Sequence, residues 1–340
     1  MITTTLPPMR PELAVCPNSA CDASKPIGVH SLKERRYMCH ACGKTFAETS
    51  GTPLFGLKHA LWLVLVVLAL LSAGCPVPAI VFAFGLDERT IADWQRKAGR
   101  HAKTVQEQVV CRGQVDVGQV QADELYTKTQ AGPVWIASAM SVFSRLWLWG
   151  AIGWSRDEAL IEPVIEQVRA AAQPQRPILF AVDGFAAYVS CILKVFRDPL
   201  RTGKRGRPPL VVWSDLHIVQ VVKQRVGRRL VSITRRLAHG SLKQAEALMQ
   251  ATQVELGRIN TAYIERLNAT LRTWIPALVR RTRTPSGARI QLEAAVFWTG
   301  CVYNFCHVHA TLAGTPAMAA DLTDHVWSIE ELIRYRCRRE

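Results

Sequence analysis

"VGQVQADELY", residues 117–126, and "PILFAVDG", residues 177–184, decide how this chain is read. The first pattern predicts a strand ending at Asp123. The second is a short apolar run closed by Asp-Gly, which predicts a compact buried strand ending at Asp183. Between them, "PVWIASAMSV" (133–142) and "SRLWLWGAIGW" (144–154) read as two further strands, and "DEALIEPVIEQVRAAA" (157–172) as an amphipathic helix.

Downstream, a helix is expected through "FAAYVSCILKVF" (185–196). A Gly/Pro/Arg loop at "RTGKRGRPPL" follows, then an extended stretch at "VVWSDLHIVQVVKQ" and a helix through "NTAYIERLNATLR" (260–272). Three antiparallel strands, helix, strand, helix, strand, helix is the order of a ribonuclease-H-like α/β domain, here expected over residues 113–275.

Two strand-end aspartates invite a search for a third carboxylate. On the helix at 260–272, Ile264, Leu267, Leu271 and Trp274 form an apolar face, with Glu265, Asn268 and Arg272 along its border. Glu265 is thus placed to join Asp123 and Asp183. Three carboxylates suit two hard divalent ions, Mg²⁺ or Mn²⁺. Such a pair, roughly 3.5–4 Å apart, can activate an attacking oxygen and stabilise a leaving one in phosphodiester chemistry. Asn268 would orient Glu265 and Arg272 would contact phosphate. Alternatives remain open: strand alternation lets only one of Asp123 and Glu124 face a shared cleft, Asp183 could simply cap a helix, and Asp215 is a substitute candidate.

Nearer the N-terminus, Cys16 and Cys21 are separated by four residues, Cys39 and Cys42 by two, with seventeen between the pairs. Two such knuckles fit a zinc ribbon over residues 10–55, with zinc supplying folding free energy; His40 is a possible substitute ligand. Residues 56–112 are expected to form a helix-turn-helix unit. In "VPAIVFAFGLDERTIADWQRKAGRHAKTV" (77–105), Gly85 suits the turn and Asp87 the N-cap. Ile91, Trp94, Ala98 and Ala102 make a buried stripe opposite Arg89, Asp93, Arg96 and Arg100, and these arginines are candidate DNA contacts. Residues 276–340 read as a basic helical extension.

Composition agrees with a polyanionic partner. The 340 residues carry 42 Lys+Arg against 27 Asp+Glu, a formal charge of +15. The run "LWLVLVVLALL" (61–71) is broken by Pro76 and Pro78 before it reaches the roughly 20 residues of a membrane span, so a buried helix is expected. Without a secretory pattern at the N-terminus, a reducing cytoplasm is expected, where paired cysteines bind metal. Arg205-Gly206-Arg207-Pro208 reads either as extended arginines for a narrow A·T minor groove or as a basic loop touching phosphates.

Taken in order, "YMCHACGKTF", "GTPLFGL", "ADELY", "FAVDG", "IERLNATLRTWI" and "TPAMAADLTDHVWS" resemble the DDE-type insertion-sequence transposases, and within them the IS-one-like group. The resemblance spans nearly the whole chain. It implies a metal-dependent DNA strand-transfer enzyme whose metal ligands are Asp123, Asp183 and Glu265. Water would nick the element's ends and the freed 3′-hydroxyl would attack target DNA. The ribbon and recognition helix would bind the terminal inverted repeats, and two ends held together imply at least a homodimer. The competing reading is a non-catalytic zinc-ribbon/helix-turn-helix regulator of DNA.

Overall fold

Two main sheets, a two-stranded ribbon and the helices packed around them organise the chain in the computed structural model, which describes residues 9–18, 20–201, 203, 206–227, 229–252, 257–279 and 286–337. The smaller sheet is antiparallel, β1 (Ile27–Ser31), β2 (Arg36–Cys39) and β3 (Thr45–Ala47), in that order. Its private core is small: Met9, Cys16, Tyr37, Cys39 and Phe46.

Three helices follow: α1 (Leu61–Ser72), α2 (Val77–Phe84) and α3 (Glu88–Val109). The apolar run at 61–71 is α1, 12 residues long and buried along Leu61, Val64, Val67, Leu68 and Leu71. Among the described residues no helix is long and apolar enough to cross a membrane. α2 ends on Gly85 at φ +63°, a left-handed position that favours glycine. Asp87 caps α3 by accepting the Arg89 amide at 2.7 Å. The stripe Ile91, Trp94, Ala98 and Ala102 is buried as the spacing predicts.

The main sheet has six strands, β4 (Gln119–Thr129), β5 (Gly132–Ser141), β6 (Trp147–Gly153), β7 (Ile178–Val182), β10 (Leu216–Val226) and β11 (Arg229–His239), in the spatial order β11-β10-β7-β4-β5-β6. β4, β5 and β6 form an antiparallel meander; β7 runs parallel to both β4 and β10; β11 pairs antiparallel with β10. Every residue of β7 is buried, the continuous apolar pattern of a strand covered on both faces. On one face, Phe180 and Val182 share a core with Ile161, Val164, Tyr188 and Ile192 of α4 (Glu158–Ala171) and α5 (Ala186–Val195). On the other, Leu179 and Ala181 pack with Ala245 and Met249 of α6 (Leu242–Thr252). α7 (Ala262–Trp274) crosses β4 on that same second face.

Two differences from the sequence reading are local. β4 does not stop at Asp123 but continues to Thr129, because β5 pairs with it all the way to Gly132. The stretch after β10, to which the sequence reading assigned no element before the helix at 260–272, forms β11, a hairpin partner turned at Gly227, φ +59°. A short ribbon, β8 (Arg197–Pro199) with β9 (Leu210–Val212), carries the Gly/Pro/Arg loop; Arg205 lies outside the described residues and Arg207 is exposed.

The C-terminal segment closes the core through α8 (Arg289–Cys301), with α9 (Pro316–Ala319) and α10 (Ile329–Arg334) after it. α8 is buried from Ala294 to Cys301 and crosses α3 so closely that a Cβ on Gly99 would lie 2.4 Å from the Ala294 Cα. Gln106 of α3 donates to the Trp147 and Leu148 carbonyls at 2.9 Å each, tying that helix to β6. One hydrophobic core therefore runs from Leu54 to Ile333.

Candidate metal centre

Ala122 pairs with Val182 at the last register position of β4 with β7, so Asp123 and Asp183 come next on adjacent strands. They share a face with Gln119 and Gln121 on β4 and with Leu179 and Ala181 on β7, because side chains alternate along each strand. Beyond this point β7 has ended, and a cleft of about 540 Å³ opens. Asp123, Asp183, Glu265, Arg156 and Lys223 all line it.

α7 reaches this cleft because Gln121 fixes its first turn. The Gln121 carboxamide oxygen accepts the amides of Tyr263 and Ile264 at 3.0 Å each, and its nitrogen donates to the Asn260 carbonyl at 2.7 Å. Thr261, the N-cap residue, makes no side-chain cap of its own, so the strand supplies the cap. Two residues after Gln121, Asp123 accepts from Asn268 Nδ2 at 2.9 Å. Asn268 thus binds Asp123, not Glu265 as the sequence suggested, and its Oδ1 is buried without a partner.

Glu124 changes the expected arrangement. Alternation sends its Cβ to the α5 face, yet one oxygen each of Asp123, Glu124 and Asp183 lies within 4.8 Å of the others. The end of β7 explains this, since no strand edge blocks the longer glutamate from curling towards the gap. Arg156 bridges the cluster, donating to Glu124 at 2.9 Å and to Asp183 at 2.7 Å, and its guanidinium sits 4.3 Å from the Phe185 ring centre. Asp183 also accepts the Phe185 amide at 2.8 Å.

Burial raises the Asp123 carboxyl above the usual aspartate range; the backbone amide of Glu124 opposes this and the Asp183 and Glu265 charges add to it. Burial likewise raises Glu124, with Arg156 opposing. The Glu124 side chain is 1% exposed, with the fully buried Tyr188 hydroxyl beside it. Carboxylate oxygens gathered this closely in a partly buried cleft suit a divalent cation, which would offset their mutual repulsion.

Glu265 lies in the same cleft but outside that tight cluster. Its Oε1 accepts from Lys223 Nζ and from Thr261 Oγ1, the latter at 2.9 Å, while Lys223 also donates to Thr261 at 3.1 Å. Arg272 is half-buried one turn beyond Asn268. Asp215 is excluded as a substitute ligand: it precedes Leu216, which pairs with Ile178 at the opposite end of β7.

The second centre is sulfur. Cys16, Cys21, Cys39 and Cys42 place one Sγ each within 4.8 Å of the others, with Cys16–Cys42 at 3.6 Å and Cys21–Cys39 at 3.7 Å. Four thiols at that spacing fit tetrahedral zinc. The backbone of Lys44, donating to Cys42, draws that thiol down to about 6, while burial raises Cys16 and the neighbouring thiols help raise Cys21, so the four share their charge unevenly without a cation. His40 is not part of the group.

The remaining candidates are peripheral to both centres. Arg89 and Arg100 are exposed on α3, while Arg96 pairs with Asp93 at 3.1 Å. Sequence reasoning missed Gln121, Arg156, Tyr188 and Lys223. Gln121 had a signal, since Gln119, Gln121 and Asp123 put a polar line on one face of a buried strand; Arg156 had none. Compared with the models of known protein families and with curated proteins, the chain gives no match.

Proposed function

We propose that this chain is a DDE-type transposase, a metal-dependent enzyme that nicks DNA and joins the freed 3′ end to a target. The observation that carries the reading is the adjacent register of Asp123 and Asp183 on parallel strands, with α7 docked so that Glu265 enters their cleft. The strand order β6-β5-β4-β7-β10, with helices on both faces, supports a ribonuclease-H-like body.

Two Mg²⁺ or Mn²⁺ ions bound by Asp123, Asp183 and Glu265 would supply an activated attacking oxygen and charge stabilisation at the leaving one. The chain's own residues do the rest. Asn268 holds the Asp123 carboxylate, and the Phe185 amide holds that of Asp183. Glu124, nearly inaccessible to solvent, anchors Arg156 at the cleft, where a guanidinium can pair with a phosphate in two directions. The four-Cys ribbon, with zinc, and α2–α3, with Arg89, Arg96 and Arg100 on the outer side of α3, would hold the element's terminal repeats. Net charge of +15 favours that partner. A homodimer would hold two ends at once.

The test is incubation of the full chain with Mg²⁺ or Mn²⁺ and duplexes from the DNA flanking its gene. Nicking and joining are expected, and Asp183→Asn should abolish both while leaving DNA binding intact. A wild-type chain that binds the duplex and cuts it with neither metal would leave the regulator reading in place.

A further inference from the structure

β10 pairs with β7 only as far as Gln220, yet β10 and β11 remain paired with each other from Ile218–His239 out to Val226–Arg229. About six residues of each strand therefore project past the sheet, a two-stranded arm roughly 20 Å long at ~3.3 Å per residue. Its base is the cleft, since Val221, Val222 and Lys223 are lining residues. From residue 221 to 237 the sequence has six Lys or Arg and no Asp or Glu.

The arm's two faces differ. On the α7 side, Lys223 is engaged with Thr261 and Glu265, and Arg235 donates to the Ile259 carbonyl at 2.6 Å. These contacts hold the arm in place. The opposite face carries Gln224, whose Oε1 accepts from Ser232 at 2.7 Å, Val222 opposite Thr234, Arg236, which donates from Nε to Gln220 at 3.1 Å, and Arg229 at the tip. Gln224, Thr234, Arg229 and Arg236 are exposed, and so are the tip's Val226 and Val231, at 74% and 61%.

We infer that this β10–β11 arm enters the major groove of duplex DNA and reads it with that polar face. A two-stranded ribbon fits a groove about 12 Å wide, and glutamine, threonine and arginine can hydrogen-bond base edges there. The valines at the tip can meet thymine methyl groups. A second copy of the chain is the other possible occupant of this free edge. Antiparallel pairing of two β11 strands about Ser232–Ile233 would bring Arg229 of each copy against Arg236 of the other, which like-charge repulsion disfavours. The inference rests on the DNA-enzyme reading for its partner but not on any metal chemistry.

The test uses the full zinc-loaded chain, with no Mg²⁺ or Mn²⁺ added and no chelator, and fluorescence anisotropy on a duplex of about 30 base pairs, roughly three helical turns, captured by the chain from a randomised pool. The same duplex made with glucosylated 5-hydroxymethylcytosine has a filled major groove and unaltered phosphates. Gln224→Ala/Thr234→Ala removes two exposed side chains without changing charge. It should lose about tenfold in affinity on the plain duplex and lose much less on the filled one. Arg229→Gln/Arg236→Gln should flatten the dependence of log affinity on log salt by about two. An unchanged affinity of the Gln224/Thr234 variant, or an equal loss on both duplexes, overturns the inference. So does a DNA-free dimer that dissociates in Val231→Asp. Failure of the chain to cut DNA with metal would leave the result of this experiment standing.

Discussion

Replacing Lys223 by methionine tests how Glu265 is held. Glu265 stands apart from the Asp123–Glu124–Asp183 cluster, and its Oε1 is engaged by Lys223 and Thr261. To turn towards the cluster and ligate an ion through Oε1 it must leave Lys223, so the free energy of that pair opposes this mode of metal binding. The side chains are 25% and 48% exposed, and an ion pair screened to that degree is worth up to about 1 kcal/mol. Lys223→Met, which keeps the stem and removes the charge, should tighten Mn²⁺ binding by roughly two- to fivefold in titration calorimetry, since about 1.4 kcal/mol is tenfold. The cycle partner is Glu265→Gln. If Lys223 acts by holding Glu265, its replacement gives no gain in the Glu265→Gln background. If the same gain persists there, Lys223 merely repels the ion through space and the reasoning fails.

Three further outcomes follow from the fold. Cys39→Ser should bind no zinc by metal analysis and should lose the ordered ribbon, since structural zinc contributes on the order of 10 kcal/mol; undiminished zinc would remove the site. Gly99→Ala drives a Cβ against the Ala294 backbone and should cost about 1–3 kcal/mol in urea unfolding by forcing α3 and α8 apart. His325 donates from Nδ1 to Asp324 at 2.6 Å and from Nε2 to Glu331 at 2.7 Å, and these hydrogen bonds raise its pKa above 6.5. A raised histidine adds stability below 6.5 that is lost as pH rises through its folded value. The melting temperature of His325→Gln should therefore fall below wild type at pH 5.5 and match it well above neutrality.

How much of this was legible before the coordinates depends on the length over which a signal repeats. β7 and α3 announce themselves, one as an unbroken apolar run and the other as a stripe repeated over several turns. The cysteine knuckles are equally plain because ligand spacing is local. β11 is not, because its exposed face and its α7 face both mix arginine with apolar residues and neither period dominates. The role of Glu124 was hidden for another reason. Strand alternation holds inside a sheet, but at Asp123 the neighbouring strand has ended, and a long side chain is free to turn back. Arg156 and Lys223 become site residues only through pairing across 27 and 42 residues, which no local pattern reports.

The most direct measurement is the anomalous diffraction of crystals of the full chain soaked in Mn²⁺. Density between the Asp123 and Asp183 carboxylates is predicted, with Glu265 turned from Lys223 towards it and Arg156 still anchored on Glu124. A map with manganese absent from that cleft, Arg156 and Lys223 keeping their ion pairs at saturating metal, would contradict the account.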